Sequence, residues 1–267
     1  MSVLPGLLEV AAGAVSDSWV GPAGGPAGKR AFGGLLMAQS LAAACHTVTA
    51  DKRPTAMHLQ YLRGGDAGED TDYAVTRVYD GRTAASRRVE SAQLGRMLTV
   101  ASVLYSTDLA GPSHGRLEML PGNPEALPPT GPPGPAPAVP LDELDIRIDD
   151  DRSSGQFVRR MWWRATVPLP ADGLTHTLIA CYVADLYGID PALQANGHSM
   201  QARTHRSGTT DFSIWLHHAI HADQWNLLES RSPAAGRGRG VMTGSLIGAD
   251  GTVAATLVQE GLIADRL

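Results

Sequence analysis

The 267-residue chain has too few cysteines for a covalent framework. Cys45 and Cys181 both fall inside apolar stretches, where they read as small buried hydrophobes, and nothing in their placement requires a disulfide between them. Charge is also scarce. Asp, Glu, Lys and Arg make up 18% of the residues and the formal net charge is −5, so there is no strong basic field and no nucleic-acid partner is expected. A few local arginines can still hold a small anionic ligand. No apolar run reaches the ~18 residues that would suggest a membrane span. The opening MSVLPGLLEVAAGAV has no basic leading segment and carries Pro5 and Glu9, which makes a poor secretion signal. A cytoplasmic protein without a membrane span is the expectation.

What the chain does have is one pattern written twice. Gly33-Gly34 opens the apolar stretch LLMAQSLAAACHTV, followed by MHLQYL and then SRRVESAQLGRMLTVASVLY. Later, THTLIACYVADLY is followed by DFSIWL and GRGVMTGSLIGADGTVAATLVQEG. Aligning His58-Leu59-Gln60-Tyr61-Leu62 with Phe212-Ser213-Ile214-Trp215-Leu216 gives an offset of 212 − 58 = 154 residues. Solenoid units recur every ~20–50 residues, so this repeat is a duplicated half rather than a solenoid. The helix expected from about Gly33 to His46 is apolar on nearly every side and must be surrounded. The segments after it are rich in Val, Thr and Tyr with partial alternation, as strands are. A long antiparallel sheet curled around a buried helix satisfies both patterns. Ten of the 18 prolines lie between Gly111 and Pro140, where no central strand or helix can continue. The expected organisation is an N-terminal unit at 1–110, a Pro/Gly-rich linker at 111–155 and a C-terminal unit at 156–267, whose first strand is MWWRATVPL.

The two copies differ in chemistry. The second helix, expected over Leu174–Tyr187, carries Asp185 near its C-terminus, where the first has Ala or Cys. Apolar surroundings and the negative end of the helix dipole both raise a carboxylate's pKa there, which poises it as a general base. Thr209 starts the next strand, and period 2 places Asp211, Ser213 and Trp215 on its face; Thr55 holds its place in the first copy. Gln259 sits between apolar residues in the last strand, its first-copy counterpart falls near Val103-Leu104, and a buried amide needs partners. Other motifs weigh less. Gly111-Pro112-Ser113-His114-Gly115 matches G-x-S-x-G but leads into prolines rather than a strand-to-helix elbow. His217, His218 and His221 lack a carboxylate or thiolate to complete a metal set, and a strand rather than a helix follows the glycines of GRGRG at 236–240.

Several ordered motifs carry a family resemblance: FGGLLMAQSL at 32–41, HLQYLRGGD at 58–66, RRVESAQLGR at 87–96, VADL at 183–186, TTDFSIWLH at 209–217 and TVAATLVQEG at 252–261. Together they resemble the acyl-CoA thioesterase II family. The resemblance implies an α+β fold, the double hotdog, with two tandem helix-wrapped antiparallel sheet units in one chain. It implies hydrolysis of acyl-CoA without a cofactor or metal. It also implies that Asp185, Thr209 and Gln259, matching the family's Asp, Thr and Gln, orient the attacking water. His58 and the loop arginines Arg231, Arg237 and Arg239 are candidates for substrate contact, the arginines facing coenzyme phosphates. The motif HLQYLRGGD departs from the family, which has a proline after that arginine, and so does ESRSPAAGRGRG. A hydratase on the same scaffold needs an Asp/His pair at the helix end, and no His follows Asp185. A non-catalytic acyl-CoA-binding protein is the remaining alternative. Open sheet edges point to a homodimer or larger homo-oligomer.

Overall fold

A computed structural model describes residues 3–130, 141–153 and 155–266. Among them, the first unit runs α1 (Leu4–Leu8), β1 (Ala11–Ala12), β2 (Ser18–Gly21), α2 (Gly33–Cys45), β3 (Arg53–Tyr61), β4 (Thr71–Asp80), β5 (Ala84–Gln93) and β6 (Arg96–Ser106). The second runs β7 (Leu144–Ile148), β8 (Val158–Ala165), α3 (Gly173–Ala184), α4 (Asp190–Gln194), β9 (His205–Leu216), β10 (Asn226–Gly236), β11 (Arg239–Gly248) and β12 (Val253–Asp265). The strands form one antiparallel sheet in the order β1-β2-β4-β5-β6-β3-β9-β12-β11-β10-β8-β7. That order reads the same from both ends when β1–β6 are exchanged with β7–β12. The duplication is therefore an approximate two-fold with its axis between β3 and β9.

The register corrects the repeat by one residue. His58 pairs with Ser213 across the axis, Leu59 with Phe212 and Met57 with Ile214. Met57, Leu59, Phe212 and Ile214 are buried on the inner face, whereas His58 points outward. Equivalent residues must share a face, so Met57 matches Phe212 and the offset is 212 − 57 = 155. An offset of 154 would match outward His58 with inward Phe212, because one residue of slip inverts every side chain in a strand. The bulges agree with the corrected value: pairing skips Thr55 in β3 and Thr210 in β9, again 155 apart.

Helices α2 and α3 lie side by side on the inner face, with the Phe32 and Tyr182 rings edge-to-face at 5.0 Å. This surrounds α2, as its uniform apolarity requires. Its one buried amide is satisfied: Gln39 Nε2 donates to the Leu7 and Pro22 carbonyls, and Tyr73 Oη donates to Gln39 Oε1. Helix α3 is capped by Asp172, whose carboxylate accepts from the Thr175 amide at 2.7 Å. It ends at Ala184 rather than Tyr187: Asp185 is its C-cap, and Tyr187 takes φ +58° as the chain turns away. At the corresponding C-cap of α2 stands His46, stacked on Trp19, rather than the Ala or Cys expected there.

Strand β7 precedes the MWWRATVPL strand and lies within the 111–155 interval expected to be linker; it pairs with β8 after the prolines have ended. The densest prolines, at 131–140, lie outside the described residues. Upstream of them, Leu117, Leu120 and Leu127 pack against Trp162, Leu227 and Ile247 of the second unit. Both cysteines are free thiols. No helix among the described residues is long and apolar enough to cross a membrane.

Candidate active site

Asp185, Thr209 and Gln259 come together at the C-terminal end of α3. Thr209 Oγ1 donates to Asp185 Oδ1 at 2.8 Å. Gln259 Nε2 donates to the same Oδ1 at 2.8 Å and to Thr209 Oγ1 at 2.6 Å. The two amide hydrogens and the hydroxyl hydrogen are thus all used, and Oδ1 accepts two bonds. The other carboxylate oxygen faces the start of α2: a Cβ added to Gly33 would lie 2.6 Å from Asp185 Oδ2. The Gly34 amide also donates to this carboxylate. Burial raises the Asp185 pKa from 3.8 to about 6, against the opposing hydrogen bonds from Thr209, Gln259 and Gly34 and the charge of Arg30.

The β9 bulge makes this cluster possible. Period 2 put Thr209 on the face of Asp211. Because pairing skips Thr210, Thr209 turns inward to meet fully buried Gln259, and Asp211 remains on the outer face. Gln259 Oε1 has no hydrogen-bond partner among the described residues. It is crowded from one side by Gly188, where an added Cβ would sit 2.0 Å away. Gly33 and Gly188 thus let backbone approach the cluster where a side chain could not fit. Tyr61 Oη donates to the Gly33 carbonyl at 2.9 Å and braces the start of α2. The sequence motifs contained Gly33 and Tyr61 but gave no reason to tie them to the site, and Gly188 lies just beyond the motif at 183–186.

The other candidates lie elsewhere. His58 is on the outer face, its Nδ1 2.7 Å from Ser213 Oγ and its Nε2 3.0 Å from Asp211 Oδ2. These are the members of a hydrolase triad, but Ser213 sits in a strand paired on both sides. Its neighbouring amides serve the sheet ladder, which leaves no pair of donors for an oxyanion. Arg231, Arg237 and Arg239 are exposed along the β10–β11 hairpin, and Arg239 Nη1 is 3.1 Å from Glu260 Oε1.

Residues 21–107 match the acyl-CoA thioesterase N-terminal domain and residues 121–263 the C-terminal domain. The chain belongs to the acyl-CoA thioesterase family. Human acyl-coenzyme A thioesterase 8 is 28% identical, over 88% of this chain and 81% of its own length. Acyl-CoA thioesterase 2 of Haemophilus influenzae is 24% identical over 88% of both chains. Among solved structures, acyl-CoA thioesterase II TesB2 from Mycobacterium marinum superposes with a TM-score of 0.84 at 25% identity, covering 99% of each chain. The double-hotdog α+β fold is thereby shared over the whole chain.

Proposed function

We propose that this thioesterase hydrolyses acyl-CoA through a single centre in the second unit, with water activated by Asp185 and held by Thr209 and Gln259. Family membership supplies the reaction, acyl-CoA plus water giving a carboxylic acid and free coenzyme A. The observation that carries the residue roles is the closed hydrogen-bond set around Asp185 Oδ1, which leaves Oδ2 as the basic atom beside the start of α2. Water attacks the thioester carbon as Asp185 takes its proton; the tetrahedral intermediate then expels the coenzyme thiolate, which is reprotonated. Apart from the Gly34 amide, which serves Asp185, the first-turn amides of α2 lack intrahelical acceptors and supply donors for the developing oxyanion. A thioester is activated enough to need neither a covalent nucleophile nor a metal.

The test is release of free coenzyme A, followed with a thiol reagent, from short-, medium- and long-chain acyl-CoA. Release with at least one chain length is expected; none with any of them would sink the proposal. A role in lipid metabolism and a cytoplasmic location accompany this reading, as does a homo-oligomer. Strand β7 ends the described sheet with a short edge that is covered only in part, by the Thr130 amide donating to the Ile146 carbonyl at 2.7 Å, and such edges favour pairing with a second copy. Light scattering that finds only monomer at micromolar concentration would remove the oligomer from it.

A further inference from the structure

In the first unit, a cleft of about 410 Å³ is lined by Lys29, Arg30, Arg63 and Arg96, together with Asp66 and Glu69. Four cations against two carboxylates give it a local charge of +2 in a chain of net charge −5. None of the four basic side chains has a carboxylate partner among the described residues, whereas Arg77, Arg87, Arg147, Arg159, Arg160 and Arg164 are all ion-paired. The Asp66 carboxylate accepts from the Gly28 and Gly68 amides, each at 2.9 Å, so it ties loops together and does not pair with the arginines.

The frame of the cleft is fixed. Gln93 is buried; its Oε1 accepts from the Asp66 amide, and its Nε2 donates to the Asp66 and Glu69 carbonyls. This joins the β5–β6 hairpin to the 63–69 loop. Lys29 O and Gly65 O accept from the Ala67 and Ala31 amides and bind the 22–31 loop to the same segment. The basic groups are therefore carried on a braced scaffold that opens to solvent. Leu94, 82% exposed at the hairpin tip, adds an apolar lip beside it.

Arg30 connects the cleft to the candidate active site. A Cβ at Gly208, next to Thr209, would lie 2.9 Å from Arg30 Nη1, and one at Gly64 would lie 3.4 Å from Arg30 Nε. Its charge also reaches Asp185. We infer that this cleft binds the phosphates of the coenzyme, so that the first unit holds the nucleotide end of the substrate that the second unit hydrolyses. The inference rests on the acyl-CoA reading above. It moves the phosphate site from the β10–β11 hairpin arginines to Lys29, Arg30, Arg63 and Arg96. Unpaired guanidinium groups suit phosphate oxygens through charge-assisted bidentate bonds.

The experiment uses the full chain and the double variant Arg63→Gln/Arg96→Gln, with a thermal melt to verify that both are folded. Calorimetry gives Kd for free coenzyme A and for its 3′-dephospho form. Kinetics compare kcat/KM for an acyl-CoA with that for the same acyl group on N-acetylcysteamine, which lacks the nucleotide. The double variant is expected to weaken coenzyme A binding about tenfold or more. It should also lower the acyl-CoA to N-acetylcysteamine ratio by a similar factor, and added salt should reduce the difference. An unchanged Kd and ratio would overturn the inference while leaving the thioesterase reading intact. So would the same loss arising only from Arg231→Gln/Arg237→Gln/Arg239→Gln. If neither thioester is hydrolysed, the activity reading fails, and the calorimetric comparison alone still decides the cleft.

Discussion

Gln259 Nε2 lies 2.8 Å from Asp185 Oδ1 across 74 residues of chain, and Thr209 Oγ1 completes the triangle with both. Three elements of one unit, a helix end, a bulged strand and the last strand, converge on one carboxylate. In the first unit the corresponding positions are His46, Pro54 and Val103, which cannot form such a set. A duplicated fold has thus kept both scaffolds and only one cluster.

With Asp185 as the proposed base, its raised pKa predicts the pH profile. A general base works deprotonated, so kcat/KM should rise with pH through about 6 and level off above it. At pH 5 it should be about tenfold below the plateau. A rate that stays flat down to pH 4.5 would separate the base from Asp185.

The same shift acts on stability. Because the folded pKa of about 6 exceeds the ordinary 3.8, the folded protein holds this proton more tightly than the unfolded chain. Stability from this group is fully present below pH 4 and is lost as pH rises through 6. The difference amounts to about 3 kcal/mol at pH 8. Asp185→Asn should recover part of it, raising Tm at pH 8 and leaving it nearly unchanged at pH 4. An amide at this position loses the Gly34 hydrogen bond on one side, so recovery is incomplete.

Crowding around Gln259 gives a test that leaves the cluster's own residues in place. Gly188→Ala would put a methyl group 2.0 Å from Gln259 Oε1, pushing the amide off Asp185 and Thr209. A fall in kcat of about tenfold or more is expected, comparable to Gln259→Ala. Thr55→Ala, at the bulge of the first unit, should leave kcat within about twofold. Equal loss from Thr55→Ala would mean that both units contribute to the chemistry.

Behind Gly188, the start of α4 is pinned by a buried ion pair. Arg159 Nη1 lies 2.7 Å from Asp190 Oδ2, and Asp190 Oδ1 accepts from the Met200 amide. Asp190→Ala strands a buried guanidinium face and an amide, at a cost of about 3 kcal/mol in urea unfolding. Arg159 keeps Asp150 as a second partner, which holds the loss near the lower end for buried pairs. A change below 1 kcal/mol would show that the pair is not holding α4.

The largely apolar helices and alternating strands made the duplicated architecture legible, and motif order pointed to Asp185, Thr209 and Gln259. What sequence could not supply was register. A bulge inserts one residue without marking it, so period 2 set Thr209 beside Asp211 when the fold puts them on opposite faces. Hydrophobic likeness of HLQYL to FSIWL likewise favoured an offset one residue short. Strand β7 was hidden next to the prolines because five residues, LDIRI, carry little pattern. Arg30 and Gly188 matter through contacts with segments 178 and 71 residues away (Gly208 and Gln259), which no local pattern encodes.

The most direct measurement is kcat for Asp185→Asn on an acyl-CoA, with Thr55→Ala and His58→Ala measured alongside. The substitution removes the base while keeping its volume and its acceptor toward Thr209 and Gln259. A loss of about 10²–10⁴ in kcat with a folded protein is expected, with the other two variants near the parent rate. Near-normal turnover in Asp185→Asn, with activity abolished by Thr55→Ala or His58→Ala, would contradict a hydrolytic centre in the second unit.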